Sequence, residues 1–287
     1  MHHSDSATVT TVDTLAKLLD VCGELRASEQ VDGRAVTGCS FDSRAVSAGD
    51  VFFCKGAAFK PAFLSVALDA GAVAFVCEES LVESLEPLAQ ESGAAMLVVD
   101  SVRTAMALLP PEVYDRPDRD VKIVGITGTK GKTTAAFMLQ SIIKAAGESC
   151  GMIGSVSTDD GIECYESTNT TPEAPEVWRH IANCRASGRQ SMVMEVSSQA
   201  LKYQRVENLP FDVACFLNIG RDHISPIEHP TFEDYFESKL RIFDQAKTAV
   251  VNLGTEEVDR VLEAASTAER LVTVGVEHPE ASLWASD

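Results

Sequence analysis

The chain has 287 residues, of which 45% are hydrophobic and 23% are charged. This length accommodates two ordinary domains with hydrophobic cores, and the composition excludes a largely disordered protein. The 24 basic and 43 acidic residues give a net charge of −19, which argues against a nucleic-acid or anionic membrane surface because both need basic patches.

Residues 1–119 are predicted to form a small α/β domain. The segment TVDTLAKLLDVCG is typical of a short helix that ends at Gly23. Two strands around a turn are predicted in AVTGCSFDSRAVSAGDVFFCKG, and LSVALDAGAVAFVCEE and AAMLVVDSVRTAMALLP each combine a helix with a strand. The segment PPEVYDRPDRD is predicted to be a linker, because proline disrupts both helices and strand ladders.

Residues 120–287 show a regular alternation of apolar strands and amphipathic helices. The predicted strands are VKIVGIT, SCGMIGSVS, SMVMEVS, FDVACFLN, TAVVNL and RLVTVGV. The predicted helices between them are KTTAAFMLQSIIKAAG, PEAPEVWRHIANCRASG, TFEDYFESKLRIF and EEVDRVLEAAS. This order predicts an α/β fold with a mostly parallel, doubly wound sheet.

Polar residues follow several of these strands, where an open parallel sheet binds its ligands. The four segments are Gly125–Thr134, Ser167–Pro172, Glu195–Ser198 and Asn218–His223. Because the carboxyl ends of parallel strands meet at one edge, we expect these segments to form a single site.

The segment GITGTKGKTT lies between a predicted strand and a predicted helix. Its glycine spacing differs from the common phosphate-binding loop, which has a glycine where Ile126 stands, five residues before Gly131. Backbone N–H groups at a helix N-terminus still favour a bound phosphate. The segment therefore predicts a nucleotide site with Lys132 at the phosphates and Thr133 at Mg²⁺; the alternative is a glycine-rich turn without a ligand.

Lys239 has an unexpected position in the segment TFEDYFESKLRIF. At about 100° per residue, it falls within the apolar stripe of the predicted helix. That stripe contains Phe232, Tyr235, Phe236, Leu240 and Phe243. A buried ammonium group is costly, so an inward lysine suggests a function; the alternative is an apolar stem with its amine in solvent.

Several motifs together resemble the Mur ligase family, whose members build the stem peptide of peptidoglycan. They are TGTKGKTT, STNTTPEAPEV, MEVSSQALKYQRV, FDVACFLNIGRDH and YFESKLRIF, with FDSRAVSAGDVFF in the first domain. The resemblance is to the MurE branch, which adds the third residue of the stem peptide. It implies a UDP-MurNAc-binding domain at residues 1–119 and an incomplete P-loop ATPase domain at 120–287. The family's C-terminal amino-acid-binding domain is expected to be absent.

The resemblance implies ATP-dependent ligation. ATP phosphorylates the terminal carboxylate of UDP-N-acetylmuramoyl-L-alanyl-D-glutamate, and an amino acid of the lysine or diaminopimelate type attacks the acyl phosphate. It implies ATP and Mg²⁺ as cofactors, and a cytoplasmic monomer without nucleic-acid partners or membrane insertion. The chain alone is expected to be inactive.

The family's site residues match particular positions of this sequence. Lys132, Lys239 and His223 match catalytic residues, and Thr133, Glu195, His223 and a carbamylated Lys239 match the metal site. The matched ATP-binding residues are Gly128, Thr129, Lys130, Gly131, Lys132, Thr133 and Thr134. The matched substrate-binding residues are Ser43, Asn169, Thr170, Thr171, Ser197 and Arg205, with Asp42 and Arg44 beside Ser43.

Ordinary structural roles are the alternative for each of these residues. Glu195 could be a solvated charge at a strand end, His223 a satisfied histidine, and Asp42–Arg44 a polar turn. The segment DHISPIEHPT also departs from the DHLDxHG pattern that is common in the family. Because this segment contains His223, the positions of the metal ligands are expected to differ in detail from the family pattern.

Two other functions are compatible with the sequence. A folylpolyglutamate-synthetase-like ligase shares the ATPase fold and a GTKGK loop, and a non-catalytic ATP-binding scaffold would lack the third domain. The eight cysteines have no C-x-x-C spacing and are predicted to be reduced, mostly buried thiols. No signal peptide or membrane span is predicted.

Overall fold

The computed structural model describes residues 9–222, 224–225 and 228–286. The chain divides into two compact units. The first contains the residues up to Arg116 together with Ala174–Arg179, and the second contains Pro117–Glu173 and the residues from His180 onward. Among the described residues, no helix is both long and apolar enough to span a bilayer.

The first unit contains a five-stranded sheet with the order β1-β5-β4-β3-β2. Among the described strands of this unit, the β1–β5 pair is antiparallel and the other three pairs are parallel. The elements are α1 (Val12–Val21), β1 (Leu25–Glu29), β2 (Gly38–Ser40), β3 (Asp50–Phe53), α2 (Pro61–Asp69), β4 (Ala74–Glu78), α3 (Val82–Ser92), β5 (Ala95–Val99) and α4 (Val102–Val113). A short 3₁₀ helix, Glu79–Leu81, precedes α3.

Alternating residues of these strands enter two separate cores, as the period of two requires. On β3, Val51 and Phe53 pack with residues of α1 and α4, whereas Phe52 packs on the opposite face with residues of α2 and α3. Both faces of the sheet are therefore covered by helices, which explains why β3, β4 and β5 are apolar over most of their length, whereas the edge strand β1 is mostly polar and exposed.

The second unit contains a nine-stranded sheet with the order β14-β13-β12-β11-β6-β10-β7-β8-β9. Its strands are β6 (Lys122–Thr127), β7 (Cys150–Ile153), β8 (Ser157–Asp159), β9 (Cys164–Glu166), β10 (Ser191–Glu195), β11 (Phe211–Phe216), β12 (Ala246–Asn252), β13 (Arg270–Val276) and β14 (Leu283–Ala285). Its helices are α5 (Lys132–Ala145), α6 (Ala174–Ala186, whose first turns belong to the first unit), α7 (Ser198–Lys202), α8 (Phe232–Leu240) and α9 (Val258–Ala265). Two 3₁₀ helices, Pro117–Arg119 and Arg241–Gln245, complete the unit.

The sheet is parallel from β14 to β7, and β8 and β9 continue it as an antiparallel hairpin. The prediction of an α/β fold with a mostly parallel sheet is therefore confirmed. The six strands predicted after residue 120 are present, whereas the β8–β9 hairpin and β14 were not predicted. Short strands with exposed residues carry too little hydrophobic pattern to stand out in a sequence.

The prediction of a linker across PPEVYDRPDRD is wrong for its first half. Pro110 and Pro111 lie inside α4, which ends at Val113. Both prolines are buried, and the chain turns after them through Asp115 and Arg116, which have positive φ angles. Apolar packing therefore outweighs the hydrogen bonds that the two prolines cannot donate. The eight cysteines are free thiols, but Cys22 and Cys164 are exposed rather than buried.

Candidate active site

Three neighbouring strands at the centre of the second sheet carry the candidate site. They are β11, β6 and β10, and all three run parallel. The glycine-rich loop follows β6, Glu195 is the last residue of β10, and Asn218 follows β11. The convergence of polar segments that the sequence predicted is thus present at this sheet edge.

The glycine-rich loop needs glycine at two positions. Gly128 and Gly131 have φ angles of 156° and 85°, which side-chain-bearing residues rarely adopt. A Cβ atom at Gly128 would also lie 3.0 Å from the Cβ of Leu217 and 3.3 Å from the backbone nitrogen of Asn218. The displaced glycine spacing therefore lets the loop pass closely over the end of β11.

Hydrogen bonds from the neighbouring segment hold the loop in place. The backbone N–H of Thr129 donates to the carbonyl of Asn218 at 2.9 Å. The Asn218 amide accepts from the Lys130 N–H and donates to the Lys130 carbonyl, each at 3.0 Å. The Thr129 hydroxyl oxygen accepts from the Gly220 N–H at 2.9 Å and from the Tyr235 hydroxyl at 3.1 Å. The loop is thus fixed by β11 and α8 as well as by its own turn.

Two lysines meet behind this loop. Lys132 Nζ donates to the Gly128 carbonyl at 2.9 Å and to the Thr129 carbonyl at 3.3 Å. Lys239 Nζ donates to the same Gly128 carbonyl at 3.0 Å, and its side chain is 1% exposed. Burial, and then the neighbouring Lys132, hold the pKa of Lys239 well below its usual value of 10.5. Burial also lowers the pKa of Lys132, although Glu195 and Asp222 oppose that shift.

Glu195 is buried among hydrogen-bond donors. Its carboxylate accepts from the Thr133 hydroxyl at 2.9 Å, from the Ser155 N–H at 2.8 Å and from the Ser155 hydroxyl at 3.2 Å. Its side chain is only 1% exposed. Thr133 and Glu195 thus bring a hydroxyl and a carboxylate together at the start of α5. Such oxygen donors are the ligands that Mg²⁺ prefers, so these two residues fit a magnesium ion.

A cavity of about 240 Å³ opens beside these groups in the second unit. It brings together seven of the site residues that the sequence predicted: Lys132, Asn169, Thr170, Thr171, Ser197, Arg205 and Lys239. Four other lining residues were not singled out as site residues: Thr168, Ser198, Gln199 and Glu228. Three cationic side chains and one carboxylate make the cavity suitable for an anionic ligand.

Internal contacts hold several of the predicted substrate residues. The Thr171 hydroxyl donates to the Glu195 carbonyl at 2.9 Å and accepts from the Ser197 N–H at 3.1 Å. Arg205 donates to the Thr171 carbonyl at 3.0 Å and pairs with Glu173 at 3.1 Å. Arg205 therefore has protein partners as well as a place in the cavity wall.

The remaining predicted site residues do not line the cavity, and one of them, His223, lies outside the residues that the structure describes. Ser43 is half-buried in the first unit, between Asp42 and an exposed Arg44 that form an ion pair at 2.6 Å. Thr134, the last residue predicted at the ATP loop, is exposed in the first turn of α5. His223, predicted as a catalytic and metal-binding residue, lies outside the described residues, whereas the adjacent Asp222 is described and exposed.

A second polar cluster in the second unit was not predicted. Asp160, Glu163 and His180 are close enough to share a metal ion. However, the Asp160 carboxylate accepts from His180 Nδ1 at 2.7 Å, from the Asn183 amide at 2.9 Å, and from the N–H groups of Ile162 and Glu163. These bonds already satisfy the carboxylate and identify the cluster as a structural element.

Comparison with known proteins finds related ligases. A sequence model of the Mur ligase middle domain matches residues 126–287. The UDP-N-acetylmuramoyl-L-alanyl-D-glutamate--L-lysine ligase of Streptococcus suis (strain 05ZYH33) is 40% identical over 230 residues, which are 80% of this chain and 46% of that protein. The UDP-N-acetylmuramyl-tripeptide synthetase of Latilactobacillus sakei is 41% identical over 236 residues, 81% of this chain and 44% of that protein. The chain thus spans about half the length of the curated relatives it matches.

Solved structures show a similar fold. A structure of UDP-N-acetylmuramoyl-L-alanyl-D-glutamate--2,6-diaminopimelate ligase matches with a TM-score of 0.76 at 22% identity, over 96% of this chain and 54% of that chain. The MurF ligase of Thermotoga maritima, solved in complex with ADP, matches with a TM-score of 0.57 at 23% identity, over 84% of this chain and 50% of that chain.

Proposed function

This chain belongs to the Mur ligase family, and from that membership we propose that it is part of an ATP-dependent ligase of peptidoglycan precursor synthesis. The proposed reaction joins an amino acid to UDP-N-acetylmuramoyl-L-alanyl-D-glutamate. The observation that carries this proposal is the cavity in which Lys132 and Lys239 lie beside Thr170, Ser197 and Arg205. The names of the relatives above support the choice of substrate.

In the proposed reaction, the glycine-rich loop binds the phosphates of ATP. Backbone N–H groups of the loop and of the first turn of α5 face the phosphates, and Lys132 exchanges its carbonyl partners for phosphate oxygens. Thr133 and Glu195, with His223, would hold Mg²⁺. The ion would neutralise charge on the transferring phosphoryl group.

The substrate carboxylate attacks the terminal phosphoryl group of ATP, and ADP leaves. The amine of the incoming amino acid then attacks the acyl carbon, and inorganic phosphate leaves with the electrons of the C–O bond. Both steps concentrate negative charge at oxygen, and the cations Lys132 and Arg205 stabilise that charge. The proposal includes either lysine or diaminopimelate as the amino acid.

Lys239 is the proposed site of carbamylation by CO₂. Its lowered pKa leaves more neutral amine to attack CO₂. The product would replace a costly buried cation with an anion, which suits a place beside Lys132 and a metal. In the full-length gene product, Lys239→Ala should abolish ligation, with partial rescue by acetate at high concentration. Normal activity of the variant would contradict this role.

The first unit is proposed to bind the uridine nucleotide through Ser43 and the Asp42–Arg44 turn. Ligand-observed NMR with UDP-N-acetylmuramic acid tests this binding on the chain itself. Signals of the nucleotide should respond to the wild-type chain and not to Ser43→Trp, which fills the turn with a large ring. Equal responses would contradict the assignment.

We also propose that the protein acts in the cytoplasm and that it is a monomer.

The decisive experiment is an amide-formation assay with the full-length gene product. We expect ATP-dependent addition of lysine or diaminopimelate to the UDP-MurNAc dipeptide. Calorimetry on the chain should show Mg-ATP binding that Lys132→Ala weakens at least about tenfold, whereas Lys144→Ala at the other end of α5 has no effect. Thermal stabilisation by folates but not by the UDP-MurNAc dipeptide would favour a folylpolyglutamate-type ligase. ATP binding without any ligation would favour a scaffold.

A further inference from the structure

A serine, a histidine and an aspartate form a hydrogen-bonded chain that ends in the cavity wall. Ser198 Oγ lies 2.9 Å from His229 Nε2, and His229 Nδ1 lies 2.6 Å from Asp234 Oδ2. His229 is fully buried, and Ser198, at the start of α7, lines the cavity while being 5% exposed. This connectivity is the one by which a histidine and a carboxylate activate a serine hydroxyl.

The carboxylate determines which nitrogen of His229 carries the proton. Burial raises the pKa of Asp234, but hydrogen bonds from Lys202 and His229 outweigh it, so that the pKa is lowered overall. An ionised carboxylate only accepts hydrogen bonds, so Nδ1 of His229 must be the donor. In the neutral ring, Nε2 is then the acceptor, and the Ser198 hydroxyl donates to it. The remaining lone pairs of Ser198 Oγ are left to accept a hydrogen bond from the cavity.

Other groups packed around His229 fix its position. Lys202 of α7 donates to Asp234 Oδ2 at 2.7 Å and to the backbone carbonyl of Glu228 at 3.2 Å. The Tyr235 ring meets the imidazole edge to face, with ring centroids 5.2 Å apart. Lys202 and His229 therefore share one carboxylate oxygen, which orients the imidazole toward Ser198. The Glu228 carboxylate accepts from the Gln199 amide at 3.2 Å and adds negative charge nearby.

We propose that Ser198, His229 and Asp234 form a proton relay that accepts the proton of the attacking amine during amide formation. The cavity offers the cations Lys132 and Arg205 to the anionic groups of the substrates. An amine cannot be held by these cations, because it needs a hydrogen-bond acceptor. The wall contains the Glu228 carboxylate and several hydroxyl groups as acceptors, and Ser198 is the one whose own proton can pass to a buried histidine. This inference rests on the proposed ligase function and deepens it.

The relay accounts for the proton that the amine loses in the second step of the reaction. The neutral amine attacks the acyl carbon, the new C–N bond leaves positive charge on nitrogen, and the C–O bond to phosphate breaks. The nitrogen gives one proton to Ser198 Oγ as the serine proton moves to His229 Nε2. The products are the amide, inorganic phosphate and an imidazolium that Asp234 stabilises, and the imidazolium later releases its proton to water.

The test separates the two half-reactions in the full-length gene product. Single-turnover ADP release without an amino acid reports phosphorylation of the carboxylate, and steady-state amide formation reports the complete reaction. Ser198→Ala and His229→Gln should release ADP at the wild-type rate but lower kcat for amide formation about 100-fold or more, with little change in KM for ATP or for the UDP-MurNAc dipeptide. Ser198→Thr keeps a hydroxyl and should recover part of the activity.

A change of nucleophile distinguishes a base from a structural role. Hydroxylamine has a much less basic nitrogen, which loses its proton without help, so Ser198→Ala should be impaired far less with hydroxylamine than with the amino acid. Ser191→Ala is the matched control, because Ser191 is a serine on β10 that is also 5% exposed and lies outside the cavity wall; it should behave as wild type.

Three results would overturn the relay. Amide formation by Ser198→Ala within twofold of wild type would contradict it while leaving the ligase function intact. An equal loss with both nucleophiles would assign Ser198 a structural role. If the wild-type protein forms no amide, the proposed function and the relay are both wrong.

Discussion

Lys132 and Lys239 donate to the same atom, the carbonyl oxygen of Gly128, at 2.9 and 3.0 Å. One neutral carbonyl cannot balance two cationic side chains, and the burial of Lys239 removes most of the solvent that could. A negative charge between the two amines would relieve this imbalance, and the carbamate proposed at Lys239 would supply it. This arrangement explains why one lysine of the pair interrupts an apolar helix face.

The first prediction concerns the stability of the chain with Lys239→Met. Because the folded-state pKa of Lys239 is lowered, the unfolded chain binds more protons between that value and 10.5, and stability rises with pH across this window. Methionine has a similar length and no charge to bury. The variant should be more stable than wild type by about 1 kcal/mol or more at pH 7, and the difference should shrink as the pH approaches 10. Urea unfolding at several pH values measures this.

Lys247→Met provides the control with the opposite sign. Lys247 is half exposed and pairs with Asp212 at 2.7 Å, and hydrogen bonding to Asp212 raises its pKa. The stability that this ion pair contributes is therefore present below the ordinary pKa of lysine and is lost only at higher pH. Because the pair is exposed, Lys247→Met should lower the free energy of unfolding by at most about 0.5 kcal/mol at pH 7. A Lys239→Met variant that is less stable than wild type at every pH would contradict the prediction.

The second prediction concerns Glu195→Gln. Thr133 and Ser155 direct two hydroxyl groups and one N–H group toward this carboxylate. A glutamine amide would turn two N–H donors toward these groups and would remove the negative charge. We expect Mg-ATP to bind at least about tenfold more weakly, measured by calorimetry at several Mg²⁺ concentrations. Binding that keeps its wild-type affinity and Mg²⁺ dependence would exclude Glu195 as a metal ligand.

The burial of Lys239 could be predicted from its helical stripe, because that signal lies within one segment. The same is true of the glycine-rich loop, whose glycines, lysine and threonine are adjacent in the chain. The roles of these residues in binding and catalysis stay predictions. A local pattern is sufficient here because helix periodicity fixes the direction of each side chain.

The Ser198–His229–Asp234 chain could not be predicted in the same way. His229 lies 31 residues after Ser198, in a segment without helical or strand periodicity. Its partners are brought together only when α7 and α8 pack against each other. The prediction of a linker at Pro110 and Pro111 was wrong for a related reason. The burial of their rings inside α4 depends on tertiary packing, which the turn propensity of proline does not reveal.

The third prediction concerns Asp160→Asn, which should destabilise the chain by about 2–4 kcal/mol at pH 7. Burial raises the pKa of Asp160, but hydrogen bonds from His180, Asn183 and the Ile162 backbone N–H lower it below 3.8 overall. The stabilisation is therefore present above that value and is lost as the pH falls through the folded-state pKa. Urea unfolding should show the two proteins converging in stability at acidic pH.

Asp159→Asn is the control for that measurement. Asp159 is half-buried and pairs with Arg189 at 2.7 Å at the rim of the same hairpin. Its replacement should cost about 1 kcal/mol or less. An Asp160→Asn protein that matches Asp159→Asn in stability would show that the buried hydrogen bonds of Asp160 contribute little.

The fourth prediction concerns Gly154→Ala, a change outside the proposed ligand set. Gly154 follows β7, and a Cβ atom there would lie 2.6 Å from Oε1 of Glu195. The φ angle of Gly154 is not positive, so alanine strains no backbone torsion, and the contact itself must be relieved by moving the carboxylate. Moving it breaks the hydrogen bonds from Ser155 and Thr133. Calorimetry should show weaker Mg-ATP binding by a protein whose circular dichroism is unchanged. Gly33→Ala, where a Cβ meets nothing within 4 Å, should bind as wild type. If Gly154→Ala also binds as wild type, the position of the Glu195 carboxylate does not control nucleotide binding.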